Sequence, residues 1–249
     1  MQLTSALYRN TILFFATFYA LVLWGFWNRY YSNPLQVSNL LVQLHGFAMT
    51  LWCVMLIAQA YLIRTSRRAL HRLIGKTSYV LAPLNVVLQI AVIRSTVPAH
   101  PELFDKGMIS APGFVFLSLS IVGASVFAVL YGLAIFFRRT PALHARYMAC
   151  TALPILAAAT DRIVFFYFAK TAERLPKVAG TPYAPFVAWA MADLTLMTLV
   201  VWDWTSHRRL NVFPLVLLAL LAYQVFTVNA HQVSLWRTFC QWFLGYPLV

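Results

Sequence analysis

Residues 113–137, GFVFLSLSIVGASVFAVLYGLAIFF, contain neither a charged side chain nor a proline. A helix needs about 20 apolar residues to cross the hydrocarbon core of a bilayer, so this stretch is long enough to span one. Six more apolar stretches follow the same pattern and are separated by short polar loops. The predicted spans are residues 11–30, 38–63, 73–93, 113–137, 147–169, 185–204 and 212–230.

The composition favours the same class of protein. Of the 249 residues, 61% are hydrophobic and only 10% are charged, too few to give a soluble core of this size a charged surface. We therefore predict an all-α, polytopic transmembrane bundle of about seven helices that forms a single membrane domain over residues 1–249. The net charge of +13 lies mainly in short loops. It therefore indicates orientation and contact with lipid, and excludes nucleic acid as a partner.

The distribution of lysine and arginine predicts the orientation. Eleven basic residues fall on the side of the N-terminus: Arg9, Arg64, Arg67, Arg68, Arg72, Lys76, Arg138, Arg139, Arg146, Arg208 and Arg209. Seven fall on the other side: Arg29, Arg94, Lys106, Lys170, Arg174, Lys177 and Arg237. By the positive-inside rule the N-terminus is cytoplasmic, and the basic loops face anionic lipid headgroups. We expect a multi-pass protein of the bacterial cytoplasmic (inner) membrane, with residues 236–249 in the membrane interface.

Two of the basic loops repeat one another. Residues 67–72, RRALHR, and residues 138–146, RRTPALHAR, both present two arginines, then Leu-His, then arginine. Pro83 and Pro154 follow the two loop histidines at nearly the same distance and predict kinks in corresponding places. The repeat favours a four-helix core, helices two to five, built from a duplicated hairpin.

These motifs also support a resemblance. The R-R-x-L-H-R loop, His45-Gly46 in the preceding helix, and L-H-x-R-Y-M followed by Asp161-Arg162 resemble an uncharacterised bacterial multi-pass membrane family, a domain of unknown function. The resemblance covers residues 40–165 and implies a fold without an activity. The layout is also similar to that of cytochrome b561, whose helical core holds two haems between paired histidines. His71 would pair with His144, whereas helix four contains no histidine to pair with His45.

The two loop histidines are the first candidate site. His71 and His144 occupy equivalent positions at the starts of helices three and five, and two neutral imidazoles on facing helices can ligate one haem iron. Arg68 and Arg139 would then neutralise the propionates of a haem b. The alternative is a pair of interfacial histidines beside arginines that bind lipid phosphate. The cysteines lack metal-site spacing, so no other metal is predicted.

A second candidate site lies toward the outer face. Ionisable side chains inside a bilayer are costly, which makes each one a functional hypothesis. Counting along the helices at about 1.5 Å per residue brings five polar residues to similar depths: His45, Gln89, Asp161, Arg162 and Asp193. We predict that Arg162 pairs with Asp193 and that Asp161 orients or charges His45. Such a pocket could bind a quinone headgroup, haem propionates or a proton; alternatively the Arg–Asp pair only joins helices five and six.

Three functions remain open from the sequence. The first is a membrane redox component for electron transfer that carries haem b or contacts quinone. The second is a small proton-coupled transporter that uses the outer residues. The third is a structural accessory subunit that packs against other subunits of a membrane complex. The sequence assigns no catalytic residue and no enzymatic reaction.

Overall fold

The computed structural model describes residues 3–34, 39–105, 107–207 and 211–247. The helices are α1 (Leu3–Phe26), α2 (Leu40–Arg64), α3 (Arg68–Gly75), α4 (Ser78–Thr96), α5 (Ala111–Phe136), α6 (Pro141–Cys150), α7 (Leu153–Tyr167), α8 (Ala169–Ala172), α9 (Pro185–His207), α10 (Val212–Asn229) and α11 (Ser234–Leu244). Two short antiparallel hairpins lie in the loops: β1 (Phe104–Asp105) with β2 (Met108–Ile109), and β3 (Lys177–Val178) with β4 (Thr181–Pro182).

Seven helical segments of the described chain are long and apolar enough to cross a membrane, which confirms the predicted polytopic, all-helical bundle. They are Asn10–Tyr31, Leu40–Arg64, Arg68–Ala99, Ala111–Phe136, Pro141–Tyr167, Pro185–Ser206 and Val212–Gln232. The final span is therefore as complete as the others. Because successive spans alternate in direction, the loops after α2, α5 and α9 share one end of the bundle, here called the arginine-rich end. The other is the opposite end. Lys106, Arg208 and Arg209, which contribute to the predicted charge bias, lie outside the described residues.

The third and fifth spans begin earlier than predicted. Residues 68–75 form α3 and residues 141–150 form α6, so the Leu-His-containing part of each arginine-rich motif is helical, whereas Arg138 and Arg139 lie in the turn before α6. Residues 68–75, RALHRLIG, are strongly amphipathic, and arginine stems can extend along apolar surface while their heads reach water. α6 is separated from α7 by a turn at Thr151–Ala152, next to Pro154. α4 continues through Pro83 without a break.

The spans pack into two groups that share α5 and the α6–α7 span. One group joins α1, α2, α4, α5 and α7 around the fully buried Trp52, whose ring meets Phe127 and Tyr131 edge-on. The other joins α5 and α6 to α9 and α10 around Phe213 and Leu196. The predicted four-helix core is therefore joined by a fifth helix, since α1 packs against both α2 and α7.

Helix α11 packs on the opposite end of the bundle. Phe239 and Phe243 lie against Phe114 and Leu117 of α5, and the indole nitrogen of Trp236 donates a hydrogen bond to the carbonyl oxygen of Phe114 at 3.1 Å. The expected interfacial segment is thus an amphipathic helix that covers the ends of the spans.

Candidate functional sites at the two ends of the bundle

The arginine-rich end brings the two predicted histidines together. His71 on α3 and His144 on α6 have ring centroids 6.4 Å apart, with their ring planes 82° from parallel. Both rings are partly buried, between the short helices that carry the repeated motifs. The two histidines, which occupy equivalent positions in the sequence repeat, are therefore also close together in space.

Each of these histidines is held by the helix that precedes it in its own hairpin. Nδ1 of His144 lies 2.8 Å from the carbonyl oxygen of Ala134 on α5, and this distance fits an N–H donor on that nitrogen. Nδ1 of His71 faces the side-chain amide of Gln59 on α2. In the amide orientation that satisfies its neighbours, Gln59 donates to Nδ1 and to the carbonyl oxygen of His71, the latter at 3.2 Å. Its own oxygen accepts from the backbone N–H of Gly75 at 3.1 Å. In both rings Nδ1 is therefore the nitrogen with a described hydrogen-bond partner, and Nε2 is the other ring nitrogen.

The two arginines expected beside the histidines remain at the surface. Arg68 is the first residue of α3, three positions before His71 and therefore on the same side of the helix. Arg139 lies in the turn before α6. Both side chains are exposed, so their charges are available to an anionic group at this end of the bundle.

An ion pair that the sequence analysis missed lies in the same region. Nη2 of Arg146 on α6 donates to Oδ1 of Asp203 on α9 at 2.9 Å, and the two side chains are only 2% and 1% exposed. Nη1 of Arg146 donates to Oδ1 of Asn211 at 2.7 Å, and that oxygen also accepts from the first backbone N–H of α10. The guanidinium lies over the ring of Phe213. Arg146 therefore joins three helices.

The predicted ion pair at the opposite end is wrong. Asp203 and Glu102, not Asp193, are the acidic partners in the ion pairs of the described residues. Oδ1 of Asp193 instead accepts a hydrogen bond from Nε2 of Gln224 on α10 at 2.9 Å. Arg162 donates to the carbonyl oxygen of Ala158, one turn back on its own helix, at 2.8 Å.

Arg162 points toward α1. Its guanidinium carbon lies 4.4 Å from the ring centroid of Phe26, a cation–π geometry. It is near enough to His45 on α2 and to the adjacent Asp161 to interact electrostatically with both. Nδ1 of His45 is buried and has no hydrogen-bond partner in the described part of the chain. Asp161 therefore does not orient the imidazole through Nδ1, and the alternative role of charging His45 stays a prediction.

The predicted outer cluster is thus divided in two. His45, Asp161 and Arg162 lie where α1, α2 and α7 meet, whereas Asp193 belongs to a groove between α9 and α10. Gln89, the fifth predicted member, is partly buried on α4, one turn beyond the buried Asn85. The side-chain amide of Asn85 donates to the carbonyl oxygen of Leu81 at 3.0 Å, which is consistent with a structural role for the amides of this helix.

The groove between α9 and α10 has a volume of about 400 Å³. It is lined by Phe186, Trp189, Ala190, Asp193, Gln224, Val225, Val228 and Asn229. Of these only Asp193 had been proposed from the sequence. Its neighbours were not recognisable in advance, because aromatic and amide side chains in a membrane helix usually pack or anchor.

Within the described residues, no three His, Cys, Asp or Glu side chains gather where they could hold a metal ion, so His71 and His144 form a two-ligand set. No family model, curated protein or solved structure matches the chain. What is shown is an integral membrane protein with seven apolar spans.

Proposed function

We propose that this protein is a membrane redox component that binds one b-type haem between His71 and His144. The observation that carries the proposal is the adjacent pair of imidazoles, 6.4 Å apart between ring centroids. Two imidazoles bound to one metal ion through bonds of about 2 Å would have ring centres roughly 6 Å apart. The separation of the two rings therefore suits two imidazoles that would together hold a single iron.

The surroundings of the rings support the same role. A histidine that ligates a metal usually donates its other ring N–H to a carbonyl or carboxylate oxygen, which fixes the tautomer and the orientation. His144 has this arrangement, since Nδ1 lies at hydrogen-bond distance from the carbonyl oxygen of Ala134. Nε2 is then the unprotonated nitrogen, with its lone pair available for ligation.

His71 differs from His144, because its tautomer depends on the orientation of the Gln59 amide. In the orientation described above, the amide nitrogen of Gln59 donates to Nδ1, which leaves the ring proton on Nε2. A half-turn of the amide would present its oxygen instead, which would accept a hydrogen bond from a protonated Nδ1, so that the lone pair of Nε2 is free. The half-turn would give up the hydrogen bond from Gly75 to the amide oxygen. Gln59 is therefore a positioning residue whose amide sets the tautomer of His71.

The positive charge at the arginine-rich end is suited to an anionic cofactor. A haem carries two propionates, and Arg68 and Arg139 present exposed guanidinium groups on the helices or turns that carry the histidines. When bound, haem supplies a one-electron centre whose iron alternates between the ferric and ferrous states. The predicted orientation would place this centre near the cytoplasmic surface.

The test is the haem content of protein purified from cells supplied with haem precursor. We expect about one haem per chain, and a loss of most of it in His71→Ala and in His144→Ala. His100→Ala is the matched control, because His100 is an exposed loop histidine paired with Glu102 at 3.0 Å. Equal haem content in all four proteins, or none in the unaltered chain, would contradict the proposal.

Gln59 provides a finer test of the same site. Gln59→Glu places an acceptor oxygen beside Nδ1 of His71, whereas Gln59→Leu offers neither a donor nor an acceptor there. We expect Gln59→Glu to retain haem with a lowered midpoint potential, because a carboxylate increases the electron donation of the imidazole. Gln59→Leu should lose haem about tenfold more readily than the unaltered protein. Equal potentials and equal retention in the two variants would mean that Gln59 only packs.

A further inference from the structure

The groove between α9 and α10 contains an intramembrane carboxylate next to an open space. Phe186 precedes Trp189 and Ala190 by three and four residues, and these precede Asp193 by four and three, so the four residues line one face of α9. Gln224 and Val228 of α10, one turn apart, form the facing wall. Ala190 is exposed between two aromatic residues and the acid, and its small side chain leaves the space open.

The carboxylate of Asp193 is not neutralised by a cation within the described residues. Its hydrogen-bond partner is the neutral amide of Gln224, and the described ion pairs involve Asp203 and Glu102. By contrast, the buried Asp203 has a guanidinium at 2.9 Å. A membrane-embedded acid that lines a cavity and lacks a cationic side chain is suited to a cation supplied from outside the chain.

The residues that line the groove indicate which kind of cation would bind there. Phe186 and Trp189 have ring centroids 5.6 Å apart and stand at 85° to one another, so they present two differently oriented aromatic surfaces. Ammonium groups are attracted to aromatic faces, most strongly to tryptophan. The remaining wall is aliphatic, and Val225 at its edge is 64% exposed on the lipid-facing surface. A hydrocarbon chain attached to the cation can therefore leave the groove into the bilayer.

We propose that this groove binds the ammonium head of a membrane-partitioned alkylammonium compound, with Asp193 as its counter-ion. Phe186 and Trp189 contact the head, and the alkyl chain extends along α10 into lipid. The site is independent of the histidine pair, which lies at the other end of the bundle. Its presence or absence can therefore be measured without haem.

The test is equilibrium dialysis of radiolabelled dodecyltrimethylammonium against the full-length protein in dodecyl maltoside, with the probe below its micellar concentration. We expect one saturable site, with binding about thirtyfold or more weaker in Asp193→Asn, because a desolvated charge pair loses one partner. Dodecanol, which has the same chain without the charge, should fail to compete. Asp161→Asn is the matched control, since it neutralises another intramembrane acid that does not line the groove and should bind normally.

Ala190→Leu tests the space independently of the charge. It fills the groove while leaving Asp193 intact, and it should also abolish saturable binding in protein that remains monodisperse on gel filtration. Displacement of the probe by phosphatidylethanolamine would identify a lipid headgroup as the natural source of the ammonium; no displacement would identify a free alkylammonium compound. Equal binding by Asp193→Asn and the unaltered protein, or full competition by dodecanol, would overturn the proposal.

Discussion

Two aspartates of α9, one toward each end of the bundle, lie in different electrostatic surroundings. Asp203 lies at the arginine-rich end, almost fully buried, with the guanidinium of Arg146 at 2.9 Å. Asp193, ten residues earlier on the same helix, lines a groove, and among the described residues its hydrogen-bond partner is the amide of Gln224. The first acid joins helices together, whereas the second is available to a ligand. A buried acid with a cationic partner thus has a structural role, whereas a partly buried acid beside an open groove is a candidate binding residue.

The largest expected effect concerns Asp203→Asn. The substitution leaves the guanidinium of Arg146 buried without its counter-charge, which should lower the free energy of unfolding by about 3–5 kcal/mol. Unfolding by SDS in mixed micelles measures this. Arg146→Met combined with Asp203→Leu should recover much of the loss, because an apolar pair leaves no buried charge behind. If Asp203→Asn alone is as stable as the unaltered protein, Asp203 does not have the structural role that sets it apart from Asp193.

The second expected effect tests the close packing of α1. A Cβ added at Gly25 would collide with the backbone of Ala159 on α7, which cannot move aside. Gly25→Ala should therefore lower the free energy of unfolding by about 1–3 kcal/mol. Gly132→Ala is the matched control, since an added Cβ there meets no atom within 4 Å in the described part of the chain. If both variants unfold alike, α1 does not pack against α7 as described.

A smaller effect is expected for Asp193→Asn, the counterpart of Asp203→Asn. Asparagine retains an oxygen that can accept the hydrogen bond from Gln224. The free energy of unfolding should change by less than about 1 kcal/mol, although the variant loses its ammonium site. The same SDS titration applies. A loss of free energy of unfolding as large as that of Asp203→Asn would show that Asp193 has a structural role.

The smallest effect is expected at the exposed pair in the loop after α4. The pKa of Glu102 lies below its ordinary value, because its carboxylate accepts from its own backbone N–H and then from His100. A lowered folded-state pKa stabilises the protein above the unfolded-state pKa, and that contribution is lost as the pH falls through the folded-state value. Since the pair is exposed, Glu102→Gln should leave the SDS midpoint at pH 7 unchanged. A measurable shift would show that this loop contributes to the stability of the bundle.

The seven spans could be predicted from sequence because hydropathy and length decide which segments cross a bilayer. The sequence predicts the starts of the third and fifth spans too late, because arginines usually mark the end of an apolar span. α3 begins at Arg68 and α6 at Pro141, so part of each charged motif is helical. The spatial pairing of His71 with His144 was predictable because the two hairpins repeat the same order of residues.

The ion pairs were not predictable from depth alone. Counting residues gives the level of a side chain in the membrane but not the direction in which it points. Arg162 and Asp193 lie at similar depths, yet Arg162 faces α1 and Asp193 faces α10. Arg146 had been counted as a loop residue, although α6 begins five residues before it. Its contact with Asp203 therefore depended on a helix boundary that the pattern does not define.

The visible absorption spectrum of the purified, full-length protein tests the functional account most directly. Protein from haem-supplied cells should show an intense Soret band, and dithionite should sharpen the longer-wavelength bands, as expected for an iron held by two imidazoles. The same spectrum should be lost in His71→Ala and in His144→Ala and retained in His100→Ala. A colourless unaltered protein, or a haem spectrum that survives removal of both His71 and His144, would contradict the proposed redox site.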